Sequence, residues 1–310
     1  MLTRSLGVAA LAAVLSLVAM SAAAHAQDAP FKWNNELPPD KTPLLRHGLF
    51  ASNSNKAAIG YYIYLPPGYD AAENADKRYP VIYYLHGGRP GNESRSVAMA
   101  DIFDEAIRAG RVPPMIYVFV NGGAMSHYDY PPLNSHGETA FVKELIPHID
   151  AAYRTIASRA GRGIEGFSQG GRGTARIMFL YPELFCSAAP MGGGQQYEKH
   201  IAEHDGVESE GIRFEPGNNT YDLARRYATR QAEYPLAILV AVGKQDPNYE
   251  PNLDWMRHLE SLGIPFISHI AENAPHNPRL VYESLGDQAM LFHAKNFHLV
   301  PPAPAGGQPQ

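Results

Sequence analysis

Continuous apolar runs alternate along this chain with segments whose apolar residues return every three or four positions. The runs "YPVIYYLHGG", "MIYVFVNGG" and "PLAILVAV" are too apolar to face water on either side. They predict buried strands of a mostly parallel sheet. An earlier strand is predicted in "KAAIGYYIYLPPGYD", ending at Pro66-Pro67 and the turn through Gly68. Between strands, Val97, Met99, Ile102, Phe103, Ala106 and Ile107 recur at near-helical spacing until Gly110. A second helix carries Phe141, Val142, Leu145, Ile146 and Ile149 on one face. Then follow a short strand (Gly163–Gly166), a glycine-rich turn, a helix over Gly170–Tyr181 stopped by Pro182, and a strand in "CSAAPM". Towards the end the pattern predicts a helix over Asn252–Leu262, a strand in "PFISHIA" and one last helix over Leu280–Phe297. The fold class is α/β: a mostly parallel central sheet flanked by helices on both faces. Residues 192–234 are longer than a βα connection needs, and are expected to form either a lid or a loose surface excursion.

The first residues change this picture. "MLTR" precedes the apolar "SLGVAALAAVLSLVAMSAAA" and then "AHA", a signal peptide over residues 1–26 with cleavage after Ala26. An uncleaved anchor is the alternative, since the run approaches the ~20 residues that span a bilayer. Helix-breaking "QDAPFKWNNELPP" after the run favours cleavage, and therefore a secreted or periplasmic protein with no stable membrane insertion. One folded domain is expected over 27–300, with a disordered tail, "PPAPAGGQPQ", over 301–310. The 310 residues carry a net charge of -5 with no basic run, which gives no basis for nucleic-acid binding. Cys186 is the single cysteine, so no intrachain disulfide can form, and its apolar neighbours mark it as a buried structural thiol.

"GFSQGG", Gly166–Gly171, places a serine between glycines where a strand turns into a helix. The motif is short enough to arise by chance; its position gives it meaning. A nucleophile elbow needs a strand before the serine and a helix after it, and both are predicted around Ser168. A serine hydroxyl is a weak nucleophile until a base takes its proton, and that base needs an acid to orient it. The strand ending at Val242-Gly243 runs into "KQDPNY", which puts Asp246 at a strand end; the rival Asp254 falls inside a helix. Of His258, His269, His276, His293 and His298, only His276 lies in a loop just after the last strand. The oxyanion hole takes one N–H from Gln169 and a second from "LHGGRPGN", with Gly88 the first choice and Gly87 the second. His86 is expected to hydrogen-bond structurally and not to act as a second base. Tyr128 and Tyr130, in a polar aromatic loop, are expected to stack on a sugar or phenolic ring, with a solvated loop as the alternative. No metal or cofactor is expected.

"YIYLPPGYD", "YPVIYYLHGG", "ELIPHIDAAYRT", "GFSQGG" and "PELFCSAAPMGGG" together resemble the esterase D-type putative esterase family of the α/β-hydrolase superfamily. The resemblance covers about residues 45–295. That family includes feruloyl and acetylxylan esterases, siderophore (enterochelin) esterases, S-formylglutathione hydrolases and mycolyltransferases. It implies an α/β-hydrolase fold and a cofactor-free serine esterase acting on a small-molecule or oligosaccharide ester. Feruloyl or acetyl groups on saccharides are the expected substrates; siderophore-ester hydrolysis and acyl transfer are the alternatives, and a non-catalytic binding protein the third. S-formylglutathione hydrolysis is disfavoured because that substrate is cytosolic. Two features depart from the family pattern: Gln169 stands where many relatives have Met, and 192–234 matches no assignable pattern.

Overall fold

Eight strands form the central sheet of this protein, whose computed structural model describes residues 31–298. The expected leader (1–26) and tail (301–310) lie outside the described residues. In chain order the sheet strands are β1 (Leu45–Ser52), β2 (Ala57–Tyr64), β3 (Val81–Leu85) and β4 (Ile116–Val120), then β7 (Arg162–Phe167), β8 (Ser187–Met191), β11 (Ala237–Gly243) and β12 (Ile267–Ala271). Short hairpins supply β5 (Asp129–Tyr130) with β6 (Ser135–His136), and β9 (Val207–Ser209) with β10 (Ile212–Arg213). The spatial order is β1-β2-β4-β3-β7-β8-β11-β12. β1, β2 and β4 pair antiparallel, and every pairing from β4 through β12 is parallel.

The unbroken apolar character of β3 follows from burial on both faces. Val81, Tyr83 and Leu85 enter one core, and Ile82 and Tyr84 the other, because side chains alternate along a strand. On the first face pack α2 (Ile146–Ala152), α3 (Gln169–Leu180), α5 (Thr220–Ala228) and α6 (Tyr249–Ser261). On the second pack α1 (Ala100–Arg108), α7 (Pro278–Leu285) and α8 (Gln288–Asn296). The expected apolar face Phe141–Ile149 is buried, although Ala140–Leu145 winds as a π-helix before α2 begins. The last helix differs from expectation: Gly286, at φ 57°, separates α7 from α8. Cys186 is buried and unpaired, and burial pushes its thiol pKa up.

Residues 192–234 are folded. They contain α4 (Gln195–Glu203), the β9–β10 hairpin and α5. Buried ion pairs tie them to α3: Arg172 bonds Glu198 of α4 and Glu208 of β9, and Glu208 also takes Arg89. One turn further along, Arg176 bonds Glu138 and Asn218. The segment is thus packed against α3. No described helix is long and apolar enough to cross a membrane.

Candidate active site

The site begins where β7 runs into α3. Ser168 sits between them at φ 60°, ψ -119°, a conformation that side chains rarely adopt without surrounding constraint. Here the constraint is visible. Ser168 N–H donates to the Met191 carbonyl at 2.9 Å, and the Ser168 carbonyl accepts from Arg172 N–H at 2.9 Å. Gly170 passes so close to the Leu85 carbonyl that a Cβ would collide with it, which explains the glycine two residues after the serine.

Asp246 and His276 arrive from the loops after β11 and β12. His276 Nε2 lies 2.8 Å from Ser168 Oγ, and His276 Nδ1 lies 2.7 Å from Asp246 Oδ2. The Asp246 carboxylate is wholly shielded from solvent, and its other oxygen accepts from Asn248 N–H at 2.8 Å. The imidazole is one-third exposed and packs against the Phe167 ring, with ring centres 4.8 Å apart. The rival carboxylate, Asp254, is engaged by Lys199 and Tyr221 on α4 and α5. His258, His269 and His293 bond Tyr221, Ser284 and Ser187 respectively, away from Ser168.

The loop after β3 faces the serine. A Cβ on Gly87 would lie 3.2 Å from both Ser168 Cβ and the Phe167 carbonyl, a tight contact that its neighbours would have to give way to admit. Three successive peptide carbonyls of the loop are anchored. The His86 carbonyl accepts from His127 Nε2 at 3.0 Å, the Gly87 carbonyl from His86 Nδ1 at 3.0 Å, and the Gly88 carbonyl from Ser126 Oγ at 2.7 Å. In a planar trans peptide the N–H points opposite the carbonyl, so these bonds aim the Gly87, Gly88 and Arg89 N–H groups away from their anchors. Among the described residues, the Gly87 and Gly88 N–H groups have no protein acceptor. Gln169 N–H, at the first position of α3, has no intrahelical acceptor.

His86 is fully buried and takes a structural part, as its position suggested. The Gly122 N–H can only donate, so His86 Nε2 accepts it at 3.0 Å and Nδ1 carries the hydrogen that reaches Gly87. Burial lowers the His86 pKa to about 4, and burial together with the neighbouring His86 holds His127 well below its ordinary value. Both rings are neutral at pH 7. Among the described residues, no group of three His, Cys, Asp or Glu side chains is placed to hold a metal ion.

Tyr128 and Tyr130 require a correction. Tyr128 has no exposed surface: its hydroxyl bonds Glu198, its ring stacks on Phe214 with centres 4.1 Å apart, and Arg176 lies over it at 4.0 Å. Tyr130 is 7% exposed and donates to the Gly211 carbonyl at 3.2 Å. Neither presents a ring face to a substrate. Two of the cations that cover Tyr128, Arg172 and Arg176, come from α3, more than forty positions downstream, beyond any local pattern of the loop. Tyr197, at the start of α4, is instead the exposed aromatic beside Gly194.

A strand–serine–helix turn in an eight-stranded, mostly parallel sheet defines an α/β-hydrolase fold. The chain belongs to the putative esterase family, whose model matches residues 52–262. It is 33% identical over 158 residues to an esterase of Mycobacterium tuberculosis, covering 50% of this chain and 33% of that protein. An endo-1,4-beta-xylanase/feruloyl esterase of Xylanibacter ruminicola is 30% identical over 152 residues, 47% of this chain and 21% of that protein. The match thus spans a third or less of both of these relatives. A solved ferulic acid esterase superposes with a TM-score of 0.66 at 21% identity, covering 81% of this chain and 98% of that one.

Proposed function

We propose that this chain is an exported serine esterase that removes feruloyl or acetyl groups from saccharides. The carrying observation is the hydrogen-bonded line Asp246–His276–Ser168 at 2.7 and 2.8 Å. In this reading Ser168 Oγ attacks the ester carbonyl while His276 Nε2 takes its proton. Asp246 holds Nδ1–H and steadies the imidazolium. The oxygen of the tetrahedral intermediate is received by Gln169 N–H and by Gly88 or Gly87 N–H. Collapse expels the alcohol, protonated by His276, and leaves an acyl-Ser168 ester. Water, deprotonated by His276, then releases the acid and restores the serine.

The family supports ester hydrolysis, and the feruloyl choice rests on relatives bearing that activity in their names. Export rests on the leader pattern of residues 1–26. Segment 192–234 has a place in substrate choice because Gly192 abuts Asp246 and Phe167, and Gly193 abuts the backbone of α3. The test is kcat/KM on acetyl, butyryl and feruloyl esters, with Ser168→Ala as the blank. Turnover of feruloyl and acetyl esters that vanishes in the variant is expected; turnover of none of them by the wild-type protein would overturn the reading.

A further inference from the structure

Every arginine among the described residues engages a partner through its guanidinium, except one. Arg46, Arg89, Arg108, Arg162, Arg172 and Arg176, for example, bond carboxylates. Arg95 forms no side-chain hydrogen bond or ion pair with any described residue, and it is exposed. Its position is not that of a stray surface charge. The guanidinium lies across Gly88, with Nη1 2.5 Å and Cζ 3.2 Å from where a Cβ would stand. The adjoining Gly87 is the residue whose Cβ position is 3.8 Å from Ser168 Oγ. Summing these contacts through two neighbouring Cα atoms puts the guanidinium no more than roughly 13 Å from the serine oxygen, on the loop that faces Ser168.

A local turn holds the backbone that carries Arg95. Asn92 Oδ1 accepts from Ser94 N–H at 3.0 Å and Ser94 Oγ at 2.7 Å, and Asn92 O accepts from Arg95 N–H at 3.3 Å. On the far side of the same loop, Arg279 of α7 donates to the Ala98 carbonyl at 3.1 Å. The stretch that carries Arg95 therefore spans from the oxyanion loop to the helix that follows His276. Glu93, the nearest acid in sequence, is buried and spent on Asn35, Asn121 and His47.

We infer that Arg95 recognises a carboxylate on the substrate, making the preferred ester an anionic one. The inference rests on the serine-esterase reading above. A guanidinium offers a planar fork that fits a carboxylate with two parallel hydrogen bonds. The protein as a whole carries a net charge of -5, so its long-range field repels an anionic ester. An unspent cation beside the oxyanion loop reverses that sign locally. The carboxylate can belong to the acyl chain, as in a hemisuccinate, or to the alcohol, as in a uronic acid; the chemistry at Arg95 is the same.

Two matched ester pairs separate these sources. 4-Nitrophenyl hemisuccinate against 4-nitrophenyl butyrate places the charge on the acyl side; 4-acetoxybenzoate against 4-acetoxybenzamide places it on the alcohol side. The readout is the anionic-to-neutral ratio of kcat/KM within each pair, for wild type, Arg95→Gln and Arg95→Lys. One ratio is expected to fall about tenfold in Arg95→Gln and less in Arg95→Lys, with the difference shrinking in 0.5 M salt. The pair that responds identifies the side bearing the carboxylate. Ratios that move less than twofold in both pairs, with the neutral esters still hydrolysed, overturn the inference and leave the esterase reading intact. Failure of the wild type on all four esters overturns both.

Discussion

Glu198→Ala probes the tie between α3 and the 192–234 segment. Glu198 is wholly buried on α4. One carboxylate oxygen takes Arg172 Nε and the Tyr128 hydroxyl, and the other takes Thr220 N–H at 2.8 Å. Removing the carboxylate leaves two buried neutral donors unpaired, each costing about 1–3 kcal/mol. It also leaves Glu208 as the one carboxylate for both Arg172 and Arg89. Breaking a buried pair by deleting one partner costs about 3–5 kcal/mol in general. These terms overlap because they describe the same site, so a loss of about 4 kcal/mol is expected. That is a large share of the ~5–15 kcal/mol typical of a folded domain. At ~2–4 °C per kcal/mol, the Tm falls by about 10 °C. Urea unfolding of wild type, Glu198→Ala and Glu198→Gln measures it, with the glutamine variant intermediate because it keeps an acceptor for Thr220. A loss below 1 kcal/mol in Glu198→Ala would refute the claim that this network joins the segment to α3.

Three further outcomes follow from the site. Ser168→Ala and His276→Ala should each lower kcat by several orders of magnitude, and the double variant should be no worse than either single one, because the residues act as a unit; additive losses in steady-state assays would count against the shared role. Acid should destabilise the fold through His86: its folded pKa of about 4 lies below the ordinary 6.5, so the unfolded chain binds the extra proton, and stability complete above pH 6.5 is lost as pH falls towards 4, by ~3 kcal/mol. Denaturant titrations at pH 7 and 4.5 should therefore show a smaller pH dependence in His86→Gln than in wild type. Gly170→Ala should fold poorly or lose activity, since its methyl meets the Leu85 carbonyl; a stable, fully active variant would contradict the packing described.

Much of the candidate site was legible because its residues stand where strands end. Ser168, Asp246 and His276 each follow a short predicted strand closed by glycine or turn residues, and that punctuation is local. The structure brings the three together across 108 and 30 positions of sequence. Gly87 and Gly88, the expected oxyanion donors, lie on the loop after β3 that faces Ser168. Long-range polar pairing was not legible. The loop around Tyr128 reads as polar and exposed, yet it is buried by Arg172, Arg176 and Glu198, whose mutual neutralisation has no sequence periodicity. The edge strand β1 escaped notice because "LRHGLFAS" is half-exposed and mixes polar with apolar residues. The break at Gly286 was hidden by helix-compatible residues on both sides.

Covalent labelling tests the central claim most directly. The native protein is treated with a fluorophosphonate probe and its peptides are mapped by mass spectrometry. A single adduct on Ser168 is predicted, formed quickly by the wild type, greatly slowed in His276→Ala and absent in Ser168→Ala. Labelling at another residue, or no labelling of a protein shown to be folded, would contradict the assignment of Ser168 as the nucleophile.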